Sequence, residues 1–224
     1  MKFQELNDKF VIIDEFVKIT ITKRNFTENI KYFSLKQIHS DIFYFIEKRD
    51  NKNFYYKGDA IITKLNDFPI GVRTADCLPI FLYSKEDKLI SVIHSGWRST
   101  AKRLLEKVLI FIKNDLNINL SSLKIIFGPC ICEKCYEIKE DMKNAFIKDF
   151  GSEGKHFFKN NRFDLKASNK YLLSKFSIQE NNIFDTDFCT FCNNDKFFSF
   201  RKEATENRIQ NIIIMNTKFL QNSY

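Results

Sequence analysis

The change of apolar period around His94 constrains this fold most. Leu89 to Ile93 is a continuous apolar run, which reads as a buried strand. After His94 the period becomes helical: Leu104, Leu105, Val108, Leu109 and Ile112 form one stripe. Ser99 is placed to cap a helix that begins near Thr100. The unit is a strand, a tight turn and a helix, with His94 at the strand's C-terminal edge.

Other segments fill in an interleaved pattern. Phe10 to Thr22 reads as extended, and Phe33 to Ile38 as a short strand running into His39 that Ile42 to Ile46 resumes. Asp50 to Lys57 is a polar loop, and Gly58-Asp59 signals a turn in which Asp59 either acts as a cap or has a functional role. Ala60 to Thr63, Ile70 to Thr74, Leu78 to Tyr83 and Leu123 to Phe127 are further strands. Asp141 to Phe150 and Leu165 to Phe176 read as helices, and Asn169 in the second is expected to face a partner. Ile183 to Asp187, Phe197 to Phe200 and Ile209 to Met215 close the series as strands. There is no regular βαβ spacing, so the expected fold is an α/β (α+β) layered sandwich of mixed sheets with flanking helices. At 224 residues, with six Gly and three Pro, one domain over 1–224 is expected.

The formal charge is +8, but the lysines are mixed with Asp and Glu along the chain. No basic stripe with interleaved aromatics stands out, so nucleic acid is not an expected partner. Met1 to Thr20 breaks each apolar run with charge and does not read as a signal peptide. No run of about eighteen apolar residues suggests a membrane span. The expected compartment is cytoplasmic, where six cysteines are thiols or ligands rather than disulfides.

Three residues offer a metal donor set. His39, Cys77 and His94 lie in KQIH, TADCLPIFLY and ISVIHSGWRS. Two imidazoles and a thiolate suit a borderline-soft divalent ion, and three protein ligands leave one position open for catalysis. The same residues also allow a Cys77–His94 dyad without metal, or a buried thiol beside two hydrogen-bonded histidines. Gly96, Trp97 and Arg98 follow His94, and helix N-terminal amides with Arg98 suit an anion. Arg73 is a second anion candidate. Gln37 either orients substrate or closes a hydrogen bond. His156 is expected in an exposed loop. Cys132/Cys135 and Cys189/Cys192 have the C-x2-C spacing of a zinc ribbon.

The stretch from Gly58 to Leu109 resembles the signature region of the laccase-domain family, multicopper polyphenol oxidoreductase-like or purine nucleoside phosphorylase-like. KQIHSD, FGPCICEKCYEI, CTFC and DKFFSFRK match further family blocks in order, from about Lys36 to about Met215. The resemblance implies one zinc per chain on His39, Cys77 and His94, which would be catalytic as well as ligating. It implies phosphorolysis of adenosine, inosine and methylthioadenosine, and deamination of adenosine. Purine nucleosides and phosphate would be the partners, with Gln37, Arg73 and Arg98 as substrate residues. It implies no second metal, so the five later cysteines are expected not to be a metal cluster. Monomer and homodimer both remain open. Alternatives are a copper-dependent polyphenol oxidase, a Cys–His hydrolase or amidase acting on peptidoglycan precursors, and a metal-stabilised scaffold. A blue-copper site would want an axial Met, and Met1, Met142 and Met215 lie outside these blocks. The chain departs from the family pattern at Cys132, where a glycine is usual, at Ser99, and in the glycine-free RKEATENR. The family's N-terminal block is reduced to ITITKRN at most.

Overall fold

A computed structural model describes residues 1–49 and 53–215. Its centre is a sheet buried on both faces. The six strands, in spatial order, are β12 (Ile183–Asp185), β9 (Lys124–Phe127), β7 (Leu78–Ser84), β8 (Leu89–Ser95), β5 (Ala60–Thr63) and β4 (Phe43–Ile46). The outer pairs β12/β9 and β4/β5 are parallel and the inner pairs antiparallel, so the sheet is mixed.

Alternation along these strands explains their unbroken apolar sequence. Leu78, Ile80 and Leu82 face one core while Phe81 and Tyr83 face another. In β8, Leu89 and Ile93 join the first core, and Ile90 and Val92 the second. A strand covered on both sides needs apolar residues at every position, not at alternate ones.

The first core is closed by helices. α1 (Trp97–Ala101) and α2 (Leu104–Asn114) follow β8, and the expected stripe Leu104, Leu105, Val108, Leu109 and Ile112 is buried. α3 (Glu140–Phe150) and α4 (Leu165–Ser174) complete this layer. Gly151 ends α3 at φ 108, a conformation that favours glycine. The second core lies against a five-stranded antiparallel sheet. Its order is β1 (Lys2–Glu5), β2 (Lys9–Ile13), β3 (Val17–Thr22), β13 (Ile209–Met215) and β6 (Ile70–Thr74). A two-stranded ribbon, β10 (Phe158–Lys159) with β11 (Arg162–Phe163), lies apart. The result is a single-domain layered sandwich with mixed and antiparallel sheets and flanking helices, as expected. Among the described residues, no helix is long and apolar enough to cross a membrane.

Several local expectations are corrected. Ser99 does not cap a helix: it lies inside α1, whose N-cap is Gly96, and its buried hydroxyl has no partner among the described residues. Phe33 to Ile38 is not a strand, because Phe33 and Lys36 make only isolated bridges. The segment from Phe197 to Phe200 is not a strand either. Ser199 Oγ accepts from the Lys202 amide at 3.2 Å and starts α5 (Phe200–Glu203). Asn169 faces inward, fully buried, and its Nδ2 donates to Thr100 Oγ1 at 3.1 Å and to the Leu165 carbonyl at 2.9 Å. The loop expected from Asp50 to Lys57 lies partly outside the described residues; Asn53 to Tyr56 are turn and bend, and Lys57 makes an isolated bridge to Lys36. His156 is exposed, within a short 3-10 turn.

Candidate metal centre

Strand register brings two of the three donors together. β7 and β8 pair with Leu78 opposite Ser95 and Pro79 opposite His94, which sets Cys77 beside the end of β8. Cys77 follows the crossover from β6 to β7, where Asp76 takes φ 83. That unusual backbone is held by its carboxylate. Asp76 Oδ1 accepts from Thr190 Oγ1 and Ser199 Oγ, both at 2.7 Å, and Oδ2 accepts from the Arg201 amide at 2.6 Å.

The third donor arrives on a loop folded around Asp59. This carboxylate is fully buried and accepts the backbone amides of Ile38, His39 and Ser40 at 3.3, 3.0 and 2.6 Å. The Ser40 hydroxyl donates to it at 2.7 Å. His39 takes φ 56 at this turn. Asp59 Oδ1 also lies 2.8 Å from His94 Nδ1, which leaves His94 Nε2 to face Cys77. The Asp59 carbonyl accepts the His94 amide at 2.7 Å, extending the β5/β8 ladder by one rung. Asp59 therefore does more than cap a turn: it positions both histidines.

One donor atom from each of His39, Cys77 and His94 lies within 4.8 Å of the others. Cys77 Sγ is 3.9 Å from His39 Nε2, and the imidazole centroids are 4.7 Å apart. Burial pushes the Cys77 thiol up, but the neighbouring His94 and His39 outweigh it and bring it down to about 6. For His94, burial pulls the imidazole down, and Cys77 and Asp59 prevail and raise it to about 9. The donor set fits a divalent zinc-type ion: one soft thiolate, two imidazoles and an oriented ring. Gly96 keeps the space clear. A Cβ there would meet Cys77 Sγ at 2.9 Å and His39 Cδ2 at 3.1 Å.

The three donors open onto a cavity of about 810 Å³. Among the described residues its basic lining is Lys36, Arg73, Arg98, Arg201 and Arg208, against one carboxylate residue, Asp76. Phe54, Trp97, Tyr136 and Phe200 supply aromatic surface. Arg98 is exposed with its guanidinium 4.2 Å from the Trp97 ring. Arg73 stands 4.7 Å from the Phe54 ring. The Gln37 side chain is occupied by the Arg73 backbone, donating to its carbonyl at 2.8 Å and accepting its amide at 2.7 Å. It lines the cavity and fixes Arg73. α1 has only five residues and carries little dipole, so anion attraction here rests on the arginines.

Sequence reasoning did not single out Tyr136, Phe200, Arg201 and Arg208. Tyr136 and the Phe200-Arg201 pair lay inside the matched blocks FGPCICEKCYEI and DKFFSFRK, which was the available signal. Four of the later cysteines come together. The sulfurs of Cys132, Cys135, Cys189 and Cys192 gather within 4.8 Å of one another. Cys130 is fully buried, and burial pushes its thiol far up.

Known proteins agree with this architecture. Residues 2–216 match the family model described as multi-copper polyphenol oxidoreductase laccase. A protein from Borreliella burgdorferi named purine nucleoside phosphorylase is 33% identical, covering 88% of this chain and 92% of that protein. A prokaryotic protein named adenosine deaminase RL5 is 30% identical over 64% of this chain and 55% of its own length. The fold matches Bacillus licheniformis hypothetical protein YfiH with a TM-score of 0.83 at 18% identity, covering 96% of this chain and 99% of that one. It also matches YlmD from Geobacillus stearothermophilus, with a TM-score of 0.79 at 17% identity, over 95% and 98% of the two chains. The chain belongs to the laccase-like multicopper polyphenol oxidoreductase family, whose similar relatives bear the names of purine nucleoside enzymes.

Proposed function

We propose that this chain, acting as one domain over residues 1–224, is a cytoplasmic zinc enzyme of purine nucleosides. It would cleave adenosine, inosine and methylthioadenosine with phosphate and would deaminate adenosine. The observation that carries this reading is the convergence of His39, Cys77 and His94 at a basic, aromatic-lined cavity. The names of the relatives supply the substrate class. Six free thiols suit a reducing compartment.

His39, Cys77 and His94 would hold the zinc, which supplies Lewis acidity and a water of lowered pKa when bound. Asp59 keeps the Nδ1 side of His94 engaged and fixes the His39 loop. Phe54 and Phe200 are exposed aromatic faces of the kind on which a purine stacks. In phosphorolysis, a phosphate oxygen attacks C1′ and the C–N glycosidic bond breaks with its electron pair going to the base nitrogen. That nitrogen takes up the proton released from the hydrogen phosphate, giving free base and ribose 1-phosphate, or methylthioribose 1-phosphate from methylthioadenosine. Arg98 and Arg73 would bind and orient that phosphate by charge-assisted hydrogen bonds. In deamination, water adds at the purine C6 and ammonia leaves. The cavity volume is within the usual range for a small-molecule site.

Zinc is favoured over copper by the missing thioether. Met215 is buried in the inter-sheet core, Met142 packs on the helical core, and Met1 Sδ lies 4.0 Å from the Tyr83 hydroxyl. The test is a product assay on inosine and adenosine with and without phosphate, using zinc-loaded and copper-loaded protein. Zinc-loaded protein should form hypoxanthine only with phosphate. Phenol oxidation by copper-loaded protein, without nucleoside turnover by either form, would reverse the reading.

A further inference from the structure

The two C-x2-C motifs form a second donor cluster, distinct from the His39, Cys77 and His94 site. Each motif sits on a tight turn. Cys132 precedes the 3-10 turn Glu133–Cys135, and its carbonyl accepts the amides of Cys135 and Tyr136, both at 3.0 Å. In the second motif the Cys189 carbonyl accepts the Asn193 amide at 2.9 Å. A parallel bridge between Cys130 and Cys189 joins the turns, with the Cys130 amide donating to Phe188 at 3.2 Å and the Thr190 amide to Cys130 at 3.1 Å.

We propose that Cys132, Cys135, Cys189 and Cys192 bind one structural zinc ion through four thiolates, stapling the two turns together. All four are free thiols, and their sulfurs lie within 4.8 Å of one another. A tetrahedral four-sulfur zinc site with Zn–S near ~2.3 Å has sulfur–sulfur edges of ~3.8 Å, so little movement is needed. Cys135 and Cys192 already stand 3.4 Å apart. The Cys132 and Cys192 amides donate to Cys189 Sγ at 3.3 and 3.5 Å, as donors do around a metal-bound thiolate. Lys202 Nζ donates to the Phe191 carbonyl at 3.2 Å, placing a cation beside a site whose four thiolates leave net negative charge. Four protein ligands close the coordination shell, so the ion would stabilise rather than react. Its reach extends to the other site. Thr190, between Cys189 and Cys192, bonds Asp76, the residue before Cys77.

This proposal does not depend on the purine reading. The test uses Cys77→Ala protein, purified under reducing conditions, so that zinc in the first site does not enter the count. Elemental analysis should find about one zinc per chain, and about none after a further Cys192→Ser change at the exposed ligand. Cobalt exchanged into Cys77→Ala protein should show the intense sulfur-to-cobalt charge-transfer bands of a tetrahedral four-thiolate site, a readout that survives if the double variant misfolds. Chelation should expose four further thiols to titration and lower the melting temperature. Metal-free Cys77→Ala protein with an unchanged melt, or with the four cysteines joined in two disulfides, would overturn the proposal. Missing nucleoside turnover by wild-type protein that holds zinc in both sites would count against the purine reading alone.

Discussion

Asp59 Oδ1 lies 2.8 Å from His94 Nδ1, and that one contact decides which imidazole nitrogen faces Cys77. The same carboxylate gathers three backbone amides of the His39 loop. Asp59→Asn keeps the size but loses charge and one acceptor oxygen. We expect a folded protein whose first-site zinc affinity falls by about 10–100-fold. A competition titration with a chelator checks this, and unchanged affinity would show that Asp59 only shapes the loop.

Arg98 should separate the two proposed reactions. Its guanidinium rests on Trp97 at the cavity wall and is exposed to solvent. Arg98→Ala should raise the KM for phosphate in inosine phosphorolysis by roughly tenfold, the loss of about 1.4 kcal/mol of charge-assisted binding. Adenosine deamination uses water instead and should change much less. Equal loss of both activities with unchanged thermal stability would move Arg98 to nucleoside binding.

The two sheets are tied by a carboxylate whose protonation should be visible in acid. Asp14, on the turn between β2 and β3, accepts from Tyr83 on β7 at 2.7 Å and from Lys124 on β9 at 2.8 Å. Burial pushes its carboxyl up, but Lys124 and Tyr83 outweigh that and hold it at about 2, below the ordinary 3.8. A depressed carboxyl stabilises the fold fully above pH 3.8. That stability is lost as the pH falls from 3.8 through about 2. The contribution is about 1–2 kcal/mol once partial exposure of Lys124 is allowed for. Melting curves of wild type and Asp14→Asn should differ at neutral pH and converge toward pH 2. Parallel curves across this range would contradict the pairing.

What the sequence revealed follows from the range of each interaction. His94 and Cys77 were legible because each borders a strand buried on both faces, and such strands announce themselves locally. The exact register of β5 on β8 cannot be read locally, so the role of Asp59 looked like a turn cap. The strand expected from Phe33 to Ile38 fails because its amides go to scattered partners: Phe33 to the Pro69 carbonyl, Ser34 to Asn53 Oδ1, Lys36 to the Tyr56 carbonyl and Ile38 to Asp59. Phe197 to Phe200 had the aromatic content of a strand, but the Ser199 cap and the hold of Asp76 on Ser199 and the Arg201 amide start a helix turn there. Both C-x2-C motifs were plain in sequence. Their meeting depends on the Cys130–Cys189 bridge, a contact between distant segments.

If His39, Cys77 and His94 make one zinc-dependent site for purine nucleosides, turnover must depend on Cys77. The most direct measurement compares inosine phosphorolysis by wild type and Cys77→Ala protein, with zinc counted in the same preparations. Wild type should release hypoxanthine and ribose 1-phosphate only when phosphate is present. Cys77→Ala should lose one zinc per chain, keep its fold, and fall by at least about 10³-fold in rate, as expected when a catalytic metal is removed. Cys77→Ala protein that retains both the first-site zinc and phosphorolysis would contradict the claim.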